Sequence, residues 1–190
     1  MLKFITGNKT KFREVQAVLA PIQIEQVNIG LAEIQGLDSR KIIEHKLQEA
    51  FKHHKGSFII DDSSLYLKCF DCKLPGPLVK WFNDSIGGRG YALLVKNMGE
   101  NRAKAKTIIG YAKNAKKIEF FEGNLNGKVV PPRGKYNFGY DPIFVPEGKK
   151  ETLSQMKAKG DFSSSPRGLA VLKLKKYLLK NNHCRDFNGC

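Results

Sequence analysis

The sequence predicts an α/β fold: a long mixed β-sheet flanked by helices, arranged as two lobes around a cleft. Three observations lead there. In the first half of the chain, short apolar strand patterns alternate with amphipathic helical ones. Between Ala103 and Val130 the pattern changes to long alternating runs, as antiparallel pairs require. A final amphipathic stretch from about Arg167 to Lys180 restores a helix. The 190 residues suit one domain spanning 1–190, and no repeat, low-complexity tract or Pro/Ser linker divides them.

"LKFIT" is a short apolar strand, after which Gly7 and Asn8 open a helix to about Leu19 with Phe12, Val15, Val18 and Leu19 as its stripe. "IQIEQVN" alternates as a strand. A second helix runs from Ser39, read as its N-cap, to His54, with Ile42, Ile43, Leu47, Ala50 and Phe51 on one face. "SFIID" and "LYLKCF" read as two strands, "KLPGP" as a turn, and "LVKWFNDSI" and "GYALLVKNM" as helices. "AKAKTIIGYAK", "KIEFFEGNL" and "GKVV" are strands, and the loop "PPRGKYNFGYDP" leads into the short strand "IFV".

Composition narrows the function. No apolar run approaches the roughly 20 residues that span a bilayer. The start, "MLKFITGNKTK", is too short and too polar for a secretory signal, so a cytoplasmic protein without a membrane partner is expected. Against 18 Asp+Glu stand 33 Lys+Arg, a net charge of +15. That excess suits polyanions, whether nucleic acid, anionic membrane or phosphorylated small molecules, or serves solubility alone. No RNA-recognition signature accompanies it, so nucleic acid is not the expected partner. Cys69 and Cys72 have C-x-x-C spacing, but Cys184 and Cys190 beside His183 make a loose second pair. Reduced thiols are expected rather than zinc.

The chemistry centres on "SFIIDDSSLYL", residues 57–67. Asp61-Asp62-Ser63-Ser64 is either turn chemistry between two strands or a pair of working acids at a strand end. Buried acids are costly unless paired, hydrogen-bonded or held by a cation. Elsewhere, the first strand runs into "TGNKTK", and a strand, glycine turn and helix N-terminus together suit a phosphate. Lys11 falls between Val15 and Val18 on the inward face of its helix, unless it snorkels outward. Lys46 shares the stripe of Ile42, Ile43 and Ala50, where an inward ammonium needs an anionic partner. Glu33 adds a loop acid, and such carboxylates suit Mg²⁺.

"FITGNKTKFREV", "EIQG", "IIDDSSL", "LPGPLVKWF" and "FGYDPIFVPEG" stand in the order and spacing of the inosine triphosphate pyrophosphatase family, which the chain resembles over nearly its whole length. The resemblance implies a two-lobed α/β fold with a central active-site cleft, a homodimer, and Mg²⁺-dependent hydrolysis of nucleoside triphosphates to monophosphate and pyrophosphate. It implies as substrates the deaminated purine triphosphates (ITP, dITP, XTP), removed from the precursor pool. By position, Thr6, Gly7, Asn8, Lys9, Thr10 and Lys11 match the triphosphate-binding segment. Lys46, Lys80 and Ser63 match further substrate contacts. Asp62 matches the metal-binding, water-activating aspartate, with Asp61 its acidic neighbour and Glu33 a second metal ligand. Lys11, Lys46, Asp61 and Asp62 make up the implied catalytic group. Phe138, Gly139, Tyr140 and Asp141 match the segment that stacks on and reads the base, with Ser165 and Arg167 beside it.

One segment departs from the family. Where relatives carry Glu-Lys and then Ser-His-Arg, this chain has Gly160-Asp161 and Ser165-Pro166-Arg167. Proline has no donor, and Asp161 reverses the lysine's charge, for which Lys159 compensates only in part. Altered base choice with unaltered chemistry is therefore one alternative. A non-catalytic nucleotide- or RNA-binding descendant is the other.

Overall fold

A computed structural model of the chain describes residues 1–31 and 34–186, with side chains described to residue 181. Its seven-stranded mixed sheet has the order β2-β1-β3-β5-β6-β7, with β4 paired to β3. Strands β1 (Leu2–Ile5), β2 (Ile24–Val27) and β3 (Ser57–Leu67) are mutually parallel, β1 in the middle. Strand β4 (Pro75–Gly76) and the long strands β5 (Arg102–Asn114) and β6 (Lys117–Val129) run antiparallel to their neighbours, as does β7 (Phe144–Pro146).

The helices cover both faces. On one, α1 (Lys9–Leu19) and α5 (Pro166–Asp186) enclose Phe4, Val15, Leu19, Ile59, Ile109, Ala170 and Leu174. On the other, α2 (Ser39–His53) encloses Ile5, Ile43, Leu47, Phe58, Ile60 and Ile108. Neighbouring residues of one strand thus belong to different cores, the period-two alternation of a sheet covered on both sides. Farther along β3 and β5, Leu65, Leu67, Ala103 and Ala105 join a third core with α3 (Val79–Asn97) and α4 (Leu153–Ala158). The strands therefore run through both lobes, and their polar middles lie between the cores.

Several boundaries differ from expectation. "SFIIDDSSLYL" is one unbroken strand, not two strands and a turn: β5 pairs with it residue for residue from Phe58 to Leu67. The local turn preference of Asp-Asp-Ser-Ser yields to that ladder, and each polar side chain finds a polar partner or the cleft. "KIEFFEGNL" and "GKVV" likewise form a single strand, β6. The N-cap of α2 is Asp38, whose carboxylate accepts from the Arg40 and Lys41 amides, rather than Ser39. The two expected helices after Leu78 are both present within α3, meeting at Gly87, whose φ of 57° breaks the helical path.

Candidate active site

The site lies at the carboxyl ends of the parallel strands, where α/β sheets place ligands. A cleft of about 870 Å³ opens there, bounded by the β1–α1 turn, the middle of β3, the start of α3 and the 137–141 loop. Among the residues read from the sequence, it brings together Thr6, Gly7, Asn8, Lys11, Lys46, Asp61, Asp62, Ser63, Lys80, Phe138, Gly139, Tyr140, Asp141, Ser165 and Arg167. Lys9 and Thr10 do not line it. Glu33 lies outside the described residues.

The β1–α1 turn is built by its own side chains. Thr6 Oγ1 accepts from the Asn8 amide at 3.1 Å, and Asn8 Oδ1 caps α1 by accepting from the Lys11 amide at 3.0 Å. The N-terminal end of α1, which meets the cleft at Gly7 and Asn8, and the Lys11 ammonium make this the anion-attracting end.

Asp61 and Asp62 meet different surroundings because they alternate across the sheet. Asp61 faces α1 and α5: it accepts from Lys11 Nζ at 3.1 Å and from Arg167 Nε at 3.0 Å. Burial alone would push its carboxyl up, but the Lys11 and Arg167 charges outweigh burial and hold it down at about 2. Asp62 faces α2. Burial pushes its carboxyl above the ordinary aspartate range, which the Ser39 hydroxyl and the Lys11 and Lys46 charges offset only in part. Its buried Oδ2 has no hydrogen-bond partner among the described residues.

Asp61 also begins a line of alternating charges reaching the other end of the cleft. Arg167 Nη1 donates to Glu14 Oε2 at 2.5 Å. Lys157 Nζ donates to Glu14 Oε1 at 3.0 Å and to Asp141 Oδ2 at 2.7 Å. Glu14, Asp61, Asp141, Lys157 and Arg167 are all buried. Such a network persists because each charge has an opposite neighbour; removing one strands the next. Tyr136 closes the line by donating to Glu14 Oε1 at 2.8 Å. Above it lies Phe138, half-exposed, with Arg167 Cζ 5.4 Å and Lys157 Nζ 5.9 Å from its ring centre.

Three expectations about this end change. Tyr140 is a core residue, packed edge-to-face on Phe144 at 6.2 Å, so Phe138 is the ring open to a ligand. Ser165 spends its hydroxyl on the backbone, donating to the Phe162 carbonyl and accepting from the Gly168 amide, so it caps α5 rather than presenting a donor. Pro166 follows as the first helical residue, the position proline favours. Asp161 accepts from Ser163 and Ser164 within its own loop, and Lys159 pairs with Glu151 at the surface. Neither Asp161 nor Lys159 reaches the cleft.

Glu14, Ser39 and Lys157 are the participants the sequence reading passed over. A signal existed for two of them. Glu14 follows Lys11 by three residues on the same face, and Lys157 stands beside Met156 and four after Leu153 on the buried face of α4.

No group of three or more His, Cys, Asp or Glu side chains able to hold a metal by themselves occurs among the described residues. The orphaned, buried Oδ2 of Asp62 at the cleft nevertheless fits a hard cation. Mg²⁺ in particular takes one or two protein carboxylates and leaves its remaining positions to water and phosphate oxygens.

Comparison with known proteins agrees with this architecture. The chain is 38% identical over 177 residues to the inosine triphosphate pyrophosphatase of Schizosaccharomyces pombe, covering 92% of this chain and 93% of that protein. It is 34% identical over 199 aligned positions to the inosine triphosphate pyrophosphatase of Candida albicans, covering 94% and 98% of the two. Its fold superposes on a HAM1 protein from Coxiella burnetii with a TM-score of 0.80 at 21% identity, covering 94% of this chain and 98% of the other. The Ham1 family model matches residues 2–177, and the chain belongs to the Ham1 family.

Proposed function

We propose that the chain is a nucleoside triphosphate pyrophosphatase that cleaves deaminated purine triphosphates such as ITP, dITP and XTP to monophosphate and pyrophosphate, with Mg²⁺ as cofactor. The observation that carries this reading is one cleft that holds both Asp62, whose buried Oδ2 has no partner among the described residues, and the Lys11, Lys46 and Lys80 cations. The names of the relatives support the same substrate class.

In this reading the triphosphate lies toward the β1–α1 turn, with Lys11, Lys46 and Lys80 opposing its charge. Asp62 orients the attacking water and accepts its proton. The water oxygen bonds to phosphorus as the α–β anhydride bond breaks, and pyrophosphate leaves. Mg²⁺ held at Asp62 supplies charge neutralisation on the phosphate oxygens. Asp61 has both oxygens occupied by Lys11 and Arg167, so it acts as a positioning residue that aims Lys11. The base lies against Phe138. We extend the reading to removal of such nucleotides from the precursor pool, in the cytoplasm, by a homodimer. No helix among the described residues is long and apolar enough to cross a membrane.

Product analysis tests the chemistry. ITP incubated with the protein and Mg²⁺ is expected to give inosine monophosphate and pyrophosphate in equal amounts, and nothing in excess EDTA. Inosine diphosphate and phosphate instead would contradict the assigned bond cleavage.

A further inference from the structure

At the base end of the cleft, Lys157 is the feature that the proposed chemistry leaves unused. Its side chain is 2% exposed, yet the residue lines the cleft, and its ammonium lies 5.9 Å from the Phe138 ring centre and 5.6 Å from that of Tyr136. An ammonium carries three N–H donors and no acceptor. Two donors go to Glu14 and Asp141. Three of the four carboxylate oxygens beside it are committed as well. Glu14 Oε1 takes Tyr136 and Lys157, Glu14 Oε2 takes Arg167, and Asp141 Oδ2 takes Lys157. Arg167, the neighbouring cation, also offers only donors. What a base meets beside Phe138 is therefore two fixed cations that give hydrogen bonds, with both Glu14 oxygens and Asp141 Oδ2 already bound.

We infer that Lys157 is a specificity-determining residue: its remaining N–H donates to a ring keto oxygen of the bound base, and its charge disfavours an amino group at the same place. This rests on the cleft binding a nucleotide with its base at Phe138, as in the proposed function, but not on the hydrolysis. A keto oxygen completes the third bond of a buried ammonium. An exocyclic amine brings donor against donor and leaves that ammonium short of an acceptor, which is how buried polar sites reject near-isosteric ligands. The carboxylates on either side hold the ammonium in place, so little ordering remains when the base arrives.

Neighbouring groups supply the rest of the device. Arg167 is anchored by Asp61 and Glu14, with a further bond from its Nη2 to Ser63 Oγ at 3.2 Å. One network thus fixes the donors at the base end and the Asp61 contact to Lys11 at the phosphate end.

The test is a nuclear magnetic resonance titration with inosine, purine riboside and adenosine 5′-monophosphates, which needs no turnover. The unaltered chain is expected to bind the inosine nucleotide about tenfold or more tightly than the adenosine one, with purine riboside between them. The Lys157 Nζ resonance is expected to move with the inosine nucleotide and not with purine riboside. Lys157→Gln, whose amide can also accept, is expected to bring the inosine-to-adenosine ratio to within about threefold, and Lys157→Arg to keep it. An unchanged ratio in folded Lys157→Gln overturns the inference. So does a Lys157 resonance that responds alike to all three nucleotides, a result available even if that variant does not fold. Binding of none of them overturns it too. Failure to release pyrophosphate from ITP, with these binding results intact, overturns the catalytic reading alone.

Discussion

Asp61 and Asp62 are consecutive in β3 yet occupy opposite faces of the sheet, Asp61 bound by Lys11 and Arg167 and Asp62 with one oxygen unpartnered among the described residues. Identical side chains one peptide apart are thereby driven in opposite directions, Asp61 toward the ionised form and Asp62 away from it. Asp61 is tied into the charge network, and Asp62 is the acid to which the proposed mechanism gives metal, water and proton.

That division gives the first expectation. Asp62→Asn should lower pyrophosphate release by a factor of about 10² or more, since it removes the proton acceptor. It should leave the melting temperature unchanged or raise it, because a neutral amide relieves the cost of burying a carboxylate whose charge is only partly offset. Activity assays and calorimetry on one preparation check both halves. A large fall in stability would make Asp62 a structural residue.

Asp61→Asn should do the reverse to stability. It strands Lys11 and Arg167, and breaking a buried network from one side costs about 3–5 kcal/mol. Denaturant unfolding measures this directly. Glu14→Gln should cost a similar amount, because Arg167 and Lys157 both bond to that carboxylate.

Acid should expose the same network. Asp61 has a folded-state value of about 2, below its ordinary 3.8. A depressed carboxylate contributes stability that is full above the unfolded value and is lost as pH falls through the folded one. Glu14 is also held below its ordinary value, against burial, by Arg167 and Lys157. Stability is therefore expected to decline from about pH 4 toward pH 2. Asp61→Asn should flatten that limb in urea midpoints measured against pH.

Gly123 of β6 couples the sheet to the site through backbone packing. A Cβ there would lie 1.9 Å from the Pro166 carbonyl oxygen and 2.7 Å from the Ala170 amide nitrogen. Gly123→Ala should lift the first turn of α5 and carry Arg167 away from Asp61, at a stability cost of about 1–3 kcal/mol. A comparable cost with an unchanged KM for ITP would show that α5 repacks without disturbing the cleft.

Much of this was legible in the residues. The strands, the helix faces and the inward positions of Lys11 and Lys46 follow from periodicity, which reports burial directly. The unbroken β3 did not, because Asp-Asp-Ser-Ser carries strong turn chemistry and its pairing with β5 depends on residues some 40 positions away. The same limit hid Glu14 and Lys157, whose significance lies in each other across a separation of 143 residues. Pro166 and Asp161 stood out as departures, and the fold explains both locally: one opens α5 and the other ties its own loop. Arg167 was readable beside the base segment, whereas the place of Lys157 near Phe138 follows only from tertiary placement.

The most direct measurement is the rate of pyrophosphate release from ITP, XTP, ATP and GTP with Mg²⁺, compared as kcat/KM. The expected result is rapid cleavage of ITP and XTP, ATP slower by about tenfold or more, and release slowed by a factor of about 10² or more in Asp62→Asn. ATP cleaved as fast as ITP, or full activity in Asp62→Asn, would contradict the account.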